Sequence, residues 1–248
     1  SNDKTIEAGG SSESKSDLQT NEDLIAATSD PSLTEDLALQ LLKQPELPSG
    51  VFERLQKNSA VINSRKVRLR LLSHPKTPRH ISLPMLPHLF TFDLMQVALQ
   101  PAVAPDIKVA AENALIHRLD KLSSGEKLAL ARRASGRIAE TLLSDSEVRV
   151  VGIALENARL TEASVIKTIA MQDSSRDLIN AVSHHPKWSL RLEIRTALLR
   201  NRHTPEGKAR EFAADLSADR LREILRDSEL PDDIKARLMQ GDGVNHPH

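Results

Sequence analysis

A metal centre is the first chemistry to test, because nine histidines fall among 248 residues and imidazoles four apart on one helix place two ligands on the same face. No two histidines have that spacing. His74, His184 and His203 lie in or beside short polar turns, where a ring nitrogen satisfies a helix end. His246 and His248 belong to a terminus containing Gly, Asn and Pro. The chain has no cysteine, which excludes thiolate metal sites, iron–sulfur ligation, disulfides and a cysteine nucleophile. The stretch SSGEKL at 123–128 has a Gly-x-Lys step but lacks the upstream Gly and the following Ser or Thr of a phosphate-binding loop. Gly-x-Ser-x-Gly, His-Glu-x-x-His and Gly-x-Gly-x-x-Gly are absent. No set of residues converges on a reaction, so no catalytic, cofactor or metal residue is assigned. The expectation is a binding protein rather than an enzyme.

What remains is charge and one indole. Basic residues cluster as Arg65, Lys66, Arg68 and Arg70, as Arg132 and Arg133, and as Arg191, Arg195, Arg200 and Arg202. Spaced along a chain of similar units, these clusters could line a groove for an acidic peptide or a nucleic-acid backbone. Helices also expose Lys and Arg simply because they are solvated, balanced by acids such as Glu193 and Glu211. Trp188, the sole Trp, sits in HHPKWSLRLEIR. Before a Ser189 cap it would pack as a hydrophobic staple, whereas beside Lys187, Arg191 and Arg195 it would anchor a partner. Packing is the preferred role for the ring. The candidate partner-binding surface is Lys187, Trp188, Arg191 and Arg195, together with Arg132 and Arg133.

Those residues need a scaffold, and composition narrows it. Four Phe, one Trp and no Tyr cannot build an ordinary β-sandwich, whereas Ala- and Leu-rich segments pack as helices. The same scarcity leaves few platforms for stacking on bases, which favours a protein or peptide partner over nucleic acid. The formal net charge of zero hides an asymmetry. Residues 1–40 carry nine acids against two lysines, which leaves 32 bases and 25 acids in the remainder, a surplus of seven positive charges. No apolar run reaches the ~20 residues that span a bilayer, and no basic-then-apolar leader opens the chain, so a cytoplasmic, soluble protein is expected. The missing initiator Met points to a processed or partial chain.

A punctuation pattern recurs: Leu, five residues, then Pro, at Leu42/Pro48, Leu72/Pro78, Leu99/Pro105, Leu199/Pro205 and Leu225/Pro231. Each reads as the last buried residue of one helix, a polar turn, and Pro in the first turn of the next, where its missing N–H costs nothing. Thr77 and Thr204 precede their prolines as caps, and Asn201 suits the left-handed backbone that often ends a helix. Degenerate copies run from Leu155 to Glu162 and from Val182 to Ser189, and a third surrounds Ala131 to Leu142, where Gly136 breaks a helical run. Capping boxes are expected at Ser32/Glu35, Ser123/Glu126 and Ser144/Glu147. In the segment 190–199, Leu190, Ile194 and Leu198 form one apolar stripe and Leu192 and Leu199 another. Successive strong corners lie about 26 to 30 residues apart, which is too short for a domain and right for stacked pairs of short helices, roughly fourteen in all.

The corner, together with LARRASGRIAETLLSDSEVRVVGIALENARLTEASVI at 130–166, resembles bacterial HEAT-like and variant leucine-rich repeat proteins over about residues 35–240. The resemblance implies an all-α, right-handed α-solenoid whose relatives mostly bind proteins and in a few cases bind or repair DNA. The cysteine cluster that can carry iron–sulfur in variant leucine-rich repeat proteins is absent here. Residues 1–30 are expected as a flexible acidic tail, with a short helix around Glu22 to Thr28, residues 31–240 as the repeat domain and 241–248 as a C-terminal tail. The functional expectation is a non-enzymatic scaffold that binds a protein partner through a groove or edge. The alternative is a nucleic-acid-binding helical repeat with a basic groove.

Overall fold

The structure is a computed structural model that describes residues 22–240 as helices and turns, with 17 α-helices and no strand among the described residues. None of these helices is long and apolar enough to cross a membrane. The described residues form two compact units that divide between Ala114 and Leu115.

Unit one holds α1 (22–29), α2 (Glu35–Leu41), α3 (Ser49–Lys57), α4 (Ser59–Ile62), α5 (Arg65–Leu72), α6 (Arg79–Met85), α7 (Thr91–Leu99) and most of α8 (Pro105–Ile116). Helices α2, α5 and α7 pack side by side, and α3 packs on α6. The core between them includes Ala38, Leu42, Val51, Phe52, Val67 and Leu71. The short helix expected near Glu22 is present as α1, but the tail expected over 1–30 does not extend that far. Thr28 is fully buried, and Asn58 donates to the carbonyls of Thr28 and Asp30. The rest of that tail, 1–21, and the terminus 241–248 lie outside the described residues.

Unit two holds α9 (Ser124–Arg133), α10 (Gly136–Leu142), α11 (Val148–Leu155), α12 (Glu162–Ile169), α13 (Arg176–His184), α14 (Leu192–Arg200), α15 (Glu206–Ala214), α16 (Ala218–Arg226) and α17 (Asp232–Gln240). Alternate helices are neighbours: α9, α11 and α13 form one row, α10, α12, α14 and α16 another, and α15 packs on α17. Helices α9 and α11 run parallel. Ser124 at the start of α9 bonds Glu147 just ahead of α11, and Asn157 beyond the end of α11 bonds Ala131 and Ala134 at the end of α9. A helix with neighbours on two sides must be apolar on more than one face. Accordingly Val150, Val151, Ala154 and Leu155 of α11 are all buried.

The corners fall where the Leu-to-Pro spacing puts them, but their chemistry differs from expectation. Pro48, Pro78 and Pro205 are the N-caps of α3, α6 and α15, one position ahead of the first turn, and Pro105 opens α8. Thr77 and Thr204 do not cap forward. Their hydroxyls reach back to the carbonyls of Leu71 and Leu198, the last turn of the preceding helix. Asn201 is extended, with φ −88° and ψ 133°, and no non-glycine among the described residues has positive φ. Of the three capping boxes only Ser123/Glu126 forms. Helix α2 is capped by Thr34 instead of Ser32, and ahead of α11 Asp145, not Ser144, accepts the Glu147 amide. Gly136 does open α10, for a packing reason: a Cβ there would stand 2.3 Å from the Arg159 carbonyl oxygen of the next corner.

One device recurs at these corners under different residue names. At Asn58, Asn157 and Asn201 the side-chain oxygen accepts the amide two residues on, and the side-chain nitrogen donates back to the previous corner. His74 does the same with a ring. Nδ1 accepts the Lys76 amide, so the proton sits on Nε2, which donates to the Gln44 carbonyl at 2.8 Å. Ser228 does it with one hydroxyl, which accepts from Leu230 and donates to Leu199. Asp145 accepts the Glu147 amide but has no donor of its own, and Lys127 of α9 supplies one at 2.8 Å. That hydrogen bond holds the Lys127 ammonium above the usual lysine range. What repeats is a paired acceptor and donor, each bond contributing roughly 1 kcal/mol.

Candidate partner-binding cleft

Basic residues can recruit a partner only if their own fold has not already neutralised them. Half of the 65–70 cluster is neutralised by carboxylates, and the other half is tied to backbone carbonyls. Arg65 grips the buried carboxylate of Asp93 through Nε and Nη2, and Lys66 pairs with Glu35. Arg68 and Arg70 donate to the carbonyls of Asn63 and Leu42.

The corner at Trp188 is internal as well. The indole is 2% exposed and its N–H donates to the Leu155 carbonyl at 2.9 Å, so Trp188 is a structural residue and not an interface anchor. His185, next to the His184 expected at this corner, accepts the Lys187 amide at Nδ1. Its Nε2 lies 3.1 Å from Glu156 but off the line of a hydrogen bond, so the indole makes the directed link to the earlier corner. Ser189 does not cap α14. The helix starts at Leu192 with Arg191 as its N-cap, which removes Arg191 and Arg195 from one shared helical face. Arg195 turns inward to Asp215, the Ser189 carbonyl and the face of Phe212. Leu190 and Leu192, expected in buried stripes, are 70% and 59% exposed, while Ile194, Leu198 and Leu199 make the core. Lys187 rests over the Trp188 ring at 3.9 Å. Of the expected edge only Arg191 remains exposed with no side-chain partner among the described residues.

Arg132 and Arg133 stand differently. Together with Arg149 they line an open cleft of about 480 Å³ between α9 and α11, whose other walls are Leu128, Ala129 and Ile153. All three arginines are exposed, and their side chains have no hydrogen bond or ion pair among the described residues. No carboxylate lines the cleft, because the nearby acids are engaged elsewhere: Asp145 holds Lys127, Glu147 accepts from Ser124, and Glu126 closes the capping box. Three positive charges over an aliphatic floor can take carboxylate or phosphate oxygens at the rim and an apolar side chain between them. Arg149, Leu128 and Ile153 were not singled out in the sequence. The available signal is an arginine one turn from an apolar residue, Leu128/Arg132 and Arg149/Ile153, on two neighbouring helices.

A second concavity, about 380 Å³ at the ends of α12 and α14, mixes Met171 and Ile166 with Arg200, Asp227 and Glu229, so it carries no single sign. Among the described residues no group of three His, Asp or Glu could hold a metal ion. Comparison with family models, with curated proteins and with solved structures finds no match.

Proposed function

We propose that this chain is a non-enzymatic helical-repeat scaffold that binds a protein partner, with the cleft between α9 and α11 as its contact surface. In this reading the alternate-helix packing belongs to a right-handed solenoid of HEAT-like repeats. The parallel run of α9 and α11 and the corner-to-corner hydrogen bonds, which link groups 23 to 33 residues apart, support it. The observation that carries the function is the state of Arg132, Arg133 and Arg149: exposed, adjacent and unneutralised, where Arg195, Arg202, Arg210 and Arg220 of the same unit each hold a carboxylate. Three desolvatable guanidinium groups without partners stabilise nothing inside the fold. They suit an interface, where Arg is over-represented.

The test is cross-linking of the full chain in an extract of its source cells, comparing the parent with Arg132→Ala/Arg149→Ala. Cross-links to protein that fall on α9 and α11 and disappear in the variant support the reading. Cross-links that persist unchanged refute it.

A further inference from the structure

We propose that the occupant of the α9/α11 cleft is an extended acidic segment of the partner, with two carboxylates about four residues apart and an aliphatic side chain between them. This rests on the scaffold reading above and names the chemistry of its ligand.

The spacing follows from the geometry of the two helices. Because Ser124 meets Glu147 at their starts and Asn157 meets Ala131 and Ala134 at their ends, Arg149 lies level with the first turn of α9 and Arg132 with the end of α11. The two arginines therefore occupy diagonal ends of the cleft. Along the axis they are offset by roughly 10 Å at ~1.5 Å per residue, and across it by the ~8–10 Å that separates packed helices. That diagonal of roughly 14 Å matches about four residues of extended chain at ~3.3 Å each. Leu128 and Ile153, each one turn from an arginine and partly exposed, supply the apolar floor at the middle of that path.

Carboxylates fit this layout better than a single phosphate. Arg132 and Arg133 are successive residues of a helix and point about 100° apart, so they cannot close around one anion from the same side. No helix N-terminus or buried donor of the cleft lining converges on a common point. A nucleic-acid strand would use the charges, but the cleft lining includes no aromatic ring for a base to stack on and an aliphatic floor in its place. The floor matters to a peptide: an acidic chain without an apolar residue would leave it wet and gain only screened charge pairs.

Fluorescence anisotropy with the full chain tests the assignment. The probe is a labelled peptide with two glutamates flanking a leucine at the stated spacing. Its controls replace the leucine by Asn, replace the glutamates by Gln, or move them to adjacent positions, and a labelled single-stranded oligonucleotide is run beside them. The glutamate–leucine peptide is expected to bind, each control to bind at least about tenfold more weakly, and Arg132→Glu/Arg149→Glu to abolish binding with an unchanged circular dichroism spectrum and melt. Equal binding of the Asn control removes the aliphatic contact and overturns the assignment. Failure of every peptide, with partner cross-links still on α9 and α11, overturns the acidic–aliphatic ligand and leaves the scaffold reading standing. Binding of the oligonucleotide alone overturns both.

Discussion

The corner at Trp188 and the cleft at Arg132 carry similar letters, a few basic residues beside apolar ones, and they do opposite things. At Trp188 every promising group but Arg191 is taken: the indole by the Leu155 carbonyl, Arg195 by Asp215 and Ser189, and Lys187 by the indole face. At the α9/α11 cleft three arginines are left over after the local acids have been assigned to Lys127, Ser124 and the capping box. The difference lies not in how many charges a stretch has but in whether the fold supplies their counter-charges. An aromatic among arginines marks a binding edge only when the ring is exposed.

The sharpest way to break this contrast is Trp188→Ala. Removing a fully enclosed indole and its hydrogen bond is expected to cost about 3–5 kcal/mol, read as a large drop in the thermal midpoint. A melt that barely moves would place the ring outside the core and restore the corner as an interface. Next comes Asn157→Ala, which strips the amides and carbonyls of the α9 and α11 ends of their partner inside a buried corner. About 1–3 kcal/mol should be lost, and chemical denaturation measures it.

Glu140→Gln sharpens the contrast for charges that are engaged. Burial works to raise this carboxyl, but the hydrogen bonds from Lys167 and Ser164 outweigh it and hold it below the usual range. Its stabilisation is thus present above the unfolded value of 4.5 and is lost as pH falls through the lower folded value. The variant should be less stable than the parent by about 1 kcal/mol at neutral pH, with the gap closing in paired melts as pH falls below 4.5. A gap that widens in acid would contradict the sign. The smallest effect belongs to Arg132→Ala/Arg149→Ala, where unpaired exposed side chains should leave stability within about 0.5 kcal/mol. A larger loss would show that the cleft arginines already serve the fold.

Helix content and corner positions were legible because Leu, Pro and the polar turn residues act locally. A buried last residue and a proline at the next entrance are visible within seven letters. The corner chemistry was not, because it depends on a partner 23 to 33 residues away. Asn201 reads as a left-handed cap from its neighbours alone; only the Ile169 carbonyl and the Ser174 hydroxyl across the turn explain its extended backbone. Asn, His, Ser and a Lys–Asp pair are interchangeable as paired donor and acceptor, so a repeat of function leaves no repeat of letters. The same holds for the site. Arg132 and Arg133 were visible as a cluster, but Arg149 joins them only through the side-by-side packing of α9 and α11. The inward turn of Arg195 needed Asp215, twenty residues along.

The clipped corners also decide how unit two would come apart under tension. An inner corner is fastened on both sides. The turn after α14 reaches back through Asn201, and its own Leu199 and Arg200 carbonyls receive the hydroxyl of Ser228 and the amide of Glu229. Beyond Glu229 the described chain offers only α17, seated on α15 and α16 and joined to α15 by the exposed Arg237–Glu206 pair. Stretching from the C-terminal side therefore meets its weakest fastening first. Each hairpin that peels away hands the load to a turn that has just lost one of its two clips, so extension should proceed as a succession of similar ruptures running toward α9.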